Sequence, residues 1–357
     1  MFEELKHSEL STYKMSVEFI GESAVDTGGP TREMFSLVYK QVISGKLTRG
    51  SYPNMTFSHD QGALMAGEYK AFGKLTALAF LNRANTPHFF SPTVAYYMFG
   101  THPNSDPVSL VDEIPDCHVE VKEKLKALLE CENPTIWDEA IMKFEERFDM
   151  GINKVKIPLE EKEDFICATN KHIMVSSVAE EIFSFQEGLS VFGVLDALKS
   201  YPEESVKQFI FAEVTVEDIR KSFVPDFSVS GSSRRQCEET IVFNFIQFLK
   251  QCDRGNIHRT FIDVTTLELE EIREVEQMLT LHDVLQFLSG ASHLPCGSIH
   301  GSIHFIHDVD KGQRVKANTC ALELAIPVNN RYLSEESSVF IANLADDIFD
   351  GQGYGCV

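Results

Sequence analysis

A short run of small, polar residues interrupts the chain about two thirds of the way along, at Ser228-Val229-Ser230-Gly231-Ser232-Ser233. Serine and glycine supply no large apolar side chains for a core, and such runs commonly join separately folded parts of a protein. The chain has 357 residues, which exceeds the roughly 250–300 residues that a single core usually supports. We therefore predict two parts, residues 1–228 and 237–357, with residues 229–236 as a flexible hinge.

Before this run, the apolar residues have mainly the spacing of helices. Met15, Val17 and Phe19 are an exception, because they alternate with polar residues and predict a half-buried strand over 14–20. A glycine-rich loop then leads into a predicted helix with Thr31 as its cap. The same helical spacing predicts further helices over 69–81, 94–98, 121–129 and 137–148.

After this run, helical and strand patterns both occur. Apolar stripes predict helices through 241–249, 284–288 and 340–348. Leu322, Leu324 and Ile326 alternate with Ala321, Glu323 and Ala325, so a strand is predicted directly after Cys320. The predicted fold class is therefore α+β, mainly helical in the first part and mixed in the second.

The charge balance excludes some partners. There are 54 acidic residues against 32 basic ones, and the formal net charge is -22. Such an excess repels phosphate groups, so neither nucleic acid nor an anionic membrane is an expected partner. No stretch approaches the roughly 20 apolar residues of a membrane helix, and the first residues lack the basic and apolar regions of a signal peptide. We expect a cytoplasmic or nuclear protein.

Cys320 is the residue that best suits a chemical role. The chain has eight cysteines and no Cys-x-x-Cys pair, which argues against a zinc ribbon. Cys320 lies between a loop, 311–319, and the predicted strand, where a scaffold can present a side chain accurately. A free thiol with a pKa of about 8.5 is ionised to a few per cent at neutral pH, enough to attack a thioester without a histidine base. On spacing alone, a structural role for Cys320 is the favoured interpretation, because a single Thr-Cys pair is common.

Other kinds of site fit the sequence less well. No segment resembles those around the nucleophiles of papain-like proteases or caspases. His300, His304 and His307 lack the His-Glu-x-x-His spacing of a zinc site, so surface histidines are favoured and no metal is expected. Gly28-Gly29-Pro30 lacks the following Gly-Lys-Ser/Thr of a phosphate loop, and we interpret it as a tight turn that feeds a helix.

Several motifs span almost the whole chain. They are Val17-Glu18-Phe19-Ile20-Gly21-Glu22, Asp26-Thr27-Gly28-Gly29-Pro30, Thr31-Arg32-Glu33-Met34-Phe35, residues 69–81, residues 285–291 with Leu294-Pro295, and Ala317-Asn318-Thr319-Cys320 followed by Leu322, Leu324, Ile326 and Pro327. Together these segments resemble the HECT ubiquitin ligases. The first three form the opening signature, which is the most specific in order and spacing.

This resemblance implies a bilobed HECT fold with a large, mainly helical amino-terminal lobe and a smaller α/β carboxy-terminal lobe. The first lobe would dock a ubiquitin-conjugating enzyme, and about residues 117–185 are the candidate subdomain for that contact. Ser230, Gly231 and Ser232 would form the hinge about which the lobes swing. Less chain precedes Met15 than the family usually has, which suggests a fragment or a short gene product.

The resemblance also implies the roles of single residues. Cys320 would accept ubiquitin as a thioester and pass it to a lysine of a protein substrate. Thr319 and Asn318 would position the thiol and the incoming carbonyl. Tyr354 matches an aromatic residue near the family's end that assists transfer to lysine. No cofactor is required, and the implied partners are ubiquitin, a conjugating enzyme and a protein substrate.

The surroundings of Cys320 depart from the family pattern, which usually reads Pro-x-Ala-His-Thr-Cys-Phe-Asn. Here Val315 replaces the proline, Asn318 the histidine, and Ala321-Leu322 the last two residues. Asparagine donates a hydrogen bond but cannot take up a proton, so slower transfer is expected. The alternative interpretation is a HECT-like module that binds ubiquitin or a conjugating enzyme without forming the thioester.

Overall fold

The structure is a computed structural model. It describes residues 5–6, 10, 12, 14–20, 26–100, 106–152, 156–263, 273–297 and 299–351. The chain divides by its internal contacts into two compact units. The first contains residues 1–14, 37–81 and 86–212, and the second contains residues 15–36, 82–85 and 213–357.

The first unit is mainly helical, as predicted, and adds one two-stranded hairpin. Thr48 pairs with Phe57 and Ser51 with Asn54 in that antiparallel hairpin. The elements are α1 (Gly29–Ser44, with Leu37 onward in this unit), β1 (Thr48–Ser51), β2 (Asn54–Phe57), α2 (Gln61–Met65), α3 (Glu68–Leu81), α4 (Pro92–Phe99), α5 (Pro107–Asp112), α6 (Val119–Glu130), α7 (Pro134–Lys143), α8 (Lys162–Met174), α9 (Ala179–Leu189), α10 (Val194–Ser200) and α11 (Pro202–Val206).

The core of the first unit is built around α3, which is buried along most of its length. Four phenylalanine rings meet there, and the centroids of Phe72 and Phe185 are 4.9 Å apart. The other two rings are Phe57 and Phe90, whose centroids are also 4.9 Å apart. Burial of such large apolar side chains contributes about 2–3 kcal/mol each, so this cluster stabilises the crossing of α3 and α9.

Helices α6 to α8 carry a smaller aromatic centre of their own. Trp137 is fully buried, and its indole N–H donates to the Ile157 carbonyl at 2.7 Å. The ring of Phe165 meets Trp137 and Phe144 edge to face. The helix predicted over 121–129 is confirmed by α6, whereas the one predicted over 137–148 ends at Lys143 and continues only as a 3-10 turn, Glu145–Arg147.

The second unit mixes helices with a four-stranded sheet, so the predicted α+β class is confirmed. The strand order is β3-β6-β8-β7, with β3, β6 and β8 parallel and β7 antiparallel to β8. The elements are α12 (Val216–Ser222), β3 (Phe223–Pro225), α13 (Ser233–Asp253), β4 (His258–Asp263), β5 (Arg273–Met278), α14 (Leu281–Ser289), β6 (Gly301–Ile306), β7 (Lys316–Asn318), β8 (Glu323–Pro327) and α15 (Ser337–Gly351).

The helices predicted in this unit from apolar stripes are confirmed. Ile241 and Phe248 on α13, Leu285 on α14 and Leu344 on α15 all contribute to one buried core. Gly290 ends α14 in the left-handed conformation, with φ of 78°, as a glycine can without a steric penalty. No helix among the described residues is long and apolar enough to cross a membrane.

The serine-glycine run, residues 228–233, lies inside the second unit, whose last segment begins at Glu213. Ser228 is anchored there, because its N–H donates to Glu238 at 2.7 Å and its hydroxyl donates at 2.5 Å. Ser232 caps α13 by accepting from the Arg235 N–H. Between these two anchors Ser230 and Gly231 form an exposed turn, and their role as a hinge stays a prediction.

Two predictions near the amino terminus are wrong. Residues 14–20 form no strand, because their backbone groups find side-chain acceptors instead of a neighbouring strand: Val17 N–H donates to Asp26 and Met15 N–H donates to Asn82. Thr31 is not the cap of α1, which already begins at Gly29. The Thr31 hydroxyl lies in the first turn of α1 and donates to the Asp26 carboxylate at 2.5 Å.

Candidate functional site

Cys320 lies on the turn of a β-hairpin. Strands β7 and β8 pair through Lys316–Ala325, Ala317–Leu324 and Asn318–Glu323, and residues 319–322 connect them. The strand after Cys320 therefore begins at Glu323 rather than directly after the cysteine, because Leu322 adopts a positive φ of 57° that a strand cannot contain. The hairpin ends hold the cysteine on a short turn, half-exposed to solvent.

Asn318 and Thr319 shape this turn. The Asn318 carboxamide oxygen accepts a hydrogen bond from the Ala321 N–H at 3.1 Å, which closes the turn around the cysteine. The Thr319 carbonyl accepts from the Arg32 guanidinium at 2.5 Å. Both residues were predicted to position the thiol. In the structure Asn318 contributes by folding the backbone, and whether either one contacts the incoming carbonyl stays a prediction.

The first turn of α1 packs directly against the Cys320 turn. A Cβ added to Gly29 would lie 2.9 Å from the Cys320 sulfur and 2.4 Å from the Thr319 hydroxyl oxygen, closer than real Cβ contacts. Only glycine therefore permits this approach. A Cβ on Gly290, at the end of α14, would likewise lie 3.0 Å from the Gly29 carbonyl oxygen. Gly29 and Gly290, which lie far apart in the sequence, thus allow α1 and the end of α14 to approach each other closely beside the thiol.

The surroundings of the Cys320 thiol favour its ionised form. Burial opposes ionisation, but it is outweighed by hydrogen bonds from the Thr27 hydroxyl and from the backbone of Thr27 and Gly29, together with the charge of Arg32. The pKa of Cys320 is consequently lowered from its ordinary value. Thiolates are stabilised in this way near helix N-termini and cationic side chains, and the thiolate is the nucleophilic form.

Asp26 fixes the loop that carries these groups. Its carboxylate accepts from the N–H groups of Val17 and Gly28, both at 2.8 Å, and from the Thr31 hydroxyl. Burial opposes the ionisation of Asp26, but these hydrogen bonds outweigh it and lower the pKa of the carboxyl. A carboxylate that gathers several N–H groups immobilises the backbone leading into α1, which keeps Thr27 and Gly29 in register with the thiol.

Among the described residues, the other predicted site residues do not lie at Cys320. Tyr354 lies outside the described residues. Ser230, Gly231 and Ser232 belong to the turn before α13. Among the histidines, His307 is mostly buried and its Nε2 lies 2.8 Å from a Glu238 carboxylate oxygen, so it is not the surface residue that was predicted. The described part of the chain contains no group of three or more side chains that could hold a metal.

Sequence reasoning missed Thr27, Gly29 and Arg32 as parts of the site. They precede Cys320 by almost 300 residues, and no periodicity links the two segments. The signal was their place in the opening signature, Asp26 to Phe35, which resembles the family more closely than the segment around the cysteine does. The interpretation of Gly28-Gly29-Pro30 as a turn feeding a helix was correct, but it did not include the contact with the thiol.

Gly29→Ala is expected to destabilise the protein by about 1–3 kcal/mol, because the added methyl would force the Cys320 turn away from α1. Thermal unfolding followed by circular dichroism measures the effect. Gly312→Ala is the matched control, since Gly312 is exposed and a Cβ there would meet nothing within 4 Å. Equal melting temperatures for the two variants would contradict the close approach of Gly29 to the thiol.

Comparisons with known proteins identify the family of this chain. A family model described as HECT-domain (ubiquitin-transferase) matches residues 29–339. The chain is similar to the G2/M phase-specific E3 ubiquitin-protein ligases of Homo sapiens and Macaca fascicularis, with 21% identity to each over 330 residues. That alignment covers 90% of this chain and 41% of each relative, so the chain spans about two fifths of their length.

Proposed function

Because this chain belongs to the HECT family of ubiquitin transferases, we propose that it accepts ubiquitin as a thioester on Cys320 and passes it to a lysine of a protein substrate. The observation that carries the proposal is the half-exposed Cys320 thiol on a hairpin turn, held against the first turn of α1 with a lowered pKa. A position that is both accessible and favourable to the thiolate suits a nucleophile better than a structural cysteine.

The proposed reaction has two steps, and neither needs a redox partner or a cofactor. The Cys320 thiolate attacks the carbonyl carbon of the thioester on the conjugating enzyme; a new C–S bond forms and the thiolate of that enzyme leaves. A substrate lysine amine then attacks the new thioester, a C–N bond forms, the amine loses a proton, and the Cys320 thiolate leaves. A lowered thiol pKa favours the first step by raising the thiolate fraction, and it makes Cys320 a better leaving group in the second.

Residues 117–185 are proposed as the docking region for the conjugating enzyme. Helices α6 to α8 form a packed body around Trp137, yet several large apolar side chains on it face solvent. Ile136, Met142 and Phe148 are each more than half exposed, at 60%, 56% and 56%. Aromatic residues and methionine are enriched in protein–protein interfaces relative to the rest of the surface. The bilobed arrangement, with Ser230, Gly231 and Ser232 as its hinge and Tyr354 assisting transfer to lysine, belongs to the same proposal.

A HECT-like module that only binds its partners is the second candidate. The altered residues around Cys320 motivate it, and Asn318 in particular uses its carboxamide oxygen to close the turn. An asparagine in this position cannot take up the proton of the attacking amine. Under this hypothesis the chain would hold ubiquitin or a conjugating enzyme without covalent attachment.

The test is to incubate the chain with activating enzyme, ubiquitin and a panel of conjugating enzymes, and to separate the products on gels with and without a reducing agent. The proposal predicts an adduct heavier by one ubiquitin that disappears on reduction. The charged conjugating enzymes are visible on the same gels and serve as the internal control. No adduct from a folded chain, with every conjugating enzyme charged, would support the binding module instead.

A further inference from the structure

We propose that Arg32 is a positioning residue for ubiquitin transfer, which holds the Cys320 turn against the first turn of α1. The inference rests on the proposed function, because it assigns to Arg32 the orientation of the acceptor thiol. Arg32 projects from α1, and its guanidinium reaches two carbonyl groups from two other elements of the same unit.

The hydrogen bonds of Arg32 connect the end of α14 to the Cys320 turn. Its Nε donates to the Ser289 carbonyl at 2.7 Å, and a terminal nitrogen donates to the Thr319 carbonyl at 2.5 Å. Ser289 is fully buried at the end of α14, where carbonyls lack partners within the helix. Thr319 directly precedes Cys320. A guanidinium has several donors in a fixed plane, so one side chain sets the separation of both carbonyls.

The backbone under Arg32 is itself fixed to the end of α14. The Ser36 hydroxyl, one turn farther along α1, donates to the Gly290 carbonyl at 3.0 Å. The buried Asn85 carboxamide donates to the Ser36 oxygen at 2.6 Å and to the Ser292 hydroxyl at 3.2 Å. The first two turns of α1 are therefore joined to the end of α14 by hydrogen bonds that do not involve Arg32. The backbone that carries Arg32 is held in place by these bonds, and its guanidinium can in turn hold the Cys320 turn.

The space for the guanidinium depends on Gly28. This residue has a φ of 123°, and a Cβ on it would lie 2.8 Å from an Arg32 terminal nitrogen. The two adjacent glycines at the start of α1 therefore have different roles. Gly28 leaves room for the arginine that holds the turn, and Gly29 leaves room for the thiol that the turn presents.

Two substitutions separate the geometry of Arg32 from its charge. Arg32→Gln removes the positive charge and one of the two hydrogen bonds to carbonyl groups. Arg32→Lys keeps a positive charge, but an ammonium group on a flexible stem cannot hold two carbonyls at a fixed separation. A positioning role predicts that both variants impair transfer, and that only the glutamine variant shifts the ionisation of the thiol.

The ionisation of Cys320 can be measured without ubiquitin. The rate of alkylation by iodoacetamide is followed against pH by mass spectrometry of the tryptic peptide 317–331, in which Cys320 is the sole cysteine. Arg32→Gln is expected to move the profile to higher pH and to slow alkylation at pH 7, because the positive charge that favours the thiolate is lost. Arg32→Lys is expected to leave the profile nearly unchanged and to slow formation of the ubiquitin adduct about tenfold.

Arg220→Gln is the matched control, because Arg220 is an exposed arginine on α12 that pairs with Glu217, and its loss should change neither measurement. Circular dichroism checks that each variant is folded, and Arg32→Lys carries the test if the glutamine variant does not fold. Wild-type rates of alkylation and adduct formation in both Arg32 variants would overturn the proposal. A shifted alkylation profile in Arg32→Gln with no adduct from the wild-type chain would remove the proposed function and would leave Arg32 only as a charge that favours the thiolate.

Discussion

Cys320→Ala is expected to abolish the reducible ubiquitin adduct, a loss of at least about a thousandfold relative to the unchanged chain. Alanine offers no sulfur for the new bond, and a neighbouring hydroxyl such as that of Thr27 or Thr319 could form only an ester, which a reducing agent does not cleave. The side chain is only half-buried on a surface turn, so its truncation should leave the fold intact. Gels with and without reducing agent measure the adduct, and circular dichroism measures the fold.

The other cysteines supply sharp controls for this prediction. Cys117 and Cys296 are exposed free thiols, and neither Cys117→Ala nor Cys296→Ala should change the adduct. Cys320→Ser should give a weaker adduct that survives reducing agent and is removed by mild base, because an oxygen ester replaces the thioester. A reducible adduct that persists in Cys320→Ala would mean that another cysteine accepts ubiquitin.

The elements with local signals were the ones that the sequence predicted correctly. The apolar stripes of α13, α14 and α15 mark buried faces, and Gly290 ends α14 where a left-handed residue was needed. The strand predicted over 14–20 failed, although its alternation is regular. The Val17 and Met15 N–H groups donate to the side chains of Asp26 and Asn82, and the alternation of apolar residues carries no information about such side-chain acceptors.

The site itself was predictable only in part. The resemblance makes Cys320 the candidate thiol, but the position of that thiol depends on contacts with residues almost 300 positions earlier. Thr27, Gly29 and Arg32 could have been chosen only by asking why the opening signature contains two glycines and an arginine. The answer is steric: the missing Cβ atoms of Gly28 and Gly29 leave space for the Arg32 guanidinium and for the Cys320 sulfur.

The same kind of close approach occurs in the core of the first unit, where it is tighter. A Cβ added to Gly73 on α3 would lie 2.0 Å from the Phe185 carbonyl oxygen and 2.9 Å from the Gly188 Cα. A Cβ added to Gly188 on α9 would lie 2.0 Å from the Lys70 carbonyl oxygen. The clashing atoms belong to the backbone, so no side-chain rotation can relieve them, and the two helices would have to move apart.

Gly73→Ala is therefore expected to lower the free energy of unfolding by about 4 kcal/mol, although alanine is the better helix former by about 1 kcal/mol. Separating α3 from α9 would also loosen the contact between Phe72 and Phe185. Trp137 is the chain's single tryptophan and lies in the same unit, so urea unfolding followed by its fluorescence reports the change. Gly62→Ala on α2 is the control, because a Cβ there would meet only the Asp60 carboxylate, a side chain that can shift. If Gly73→Ala were as stable as Gly62→Ala, the close crossing of helices α3 and α9 at Gly73 and Gly188 would be wrong.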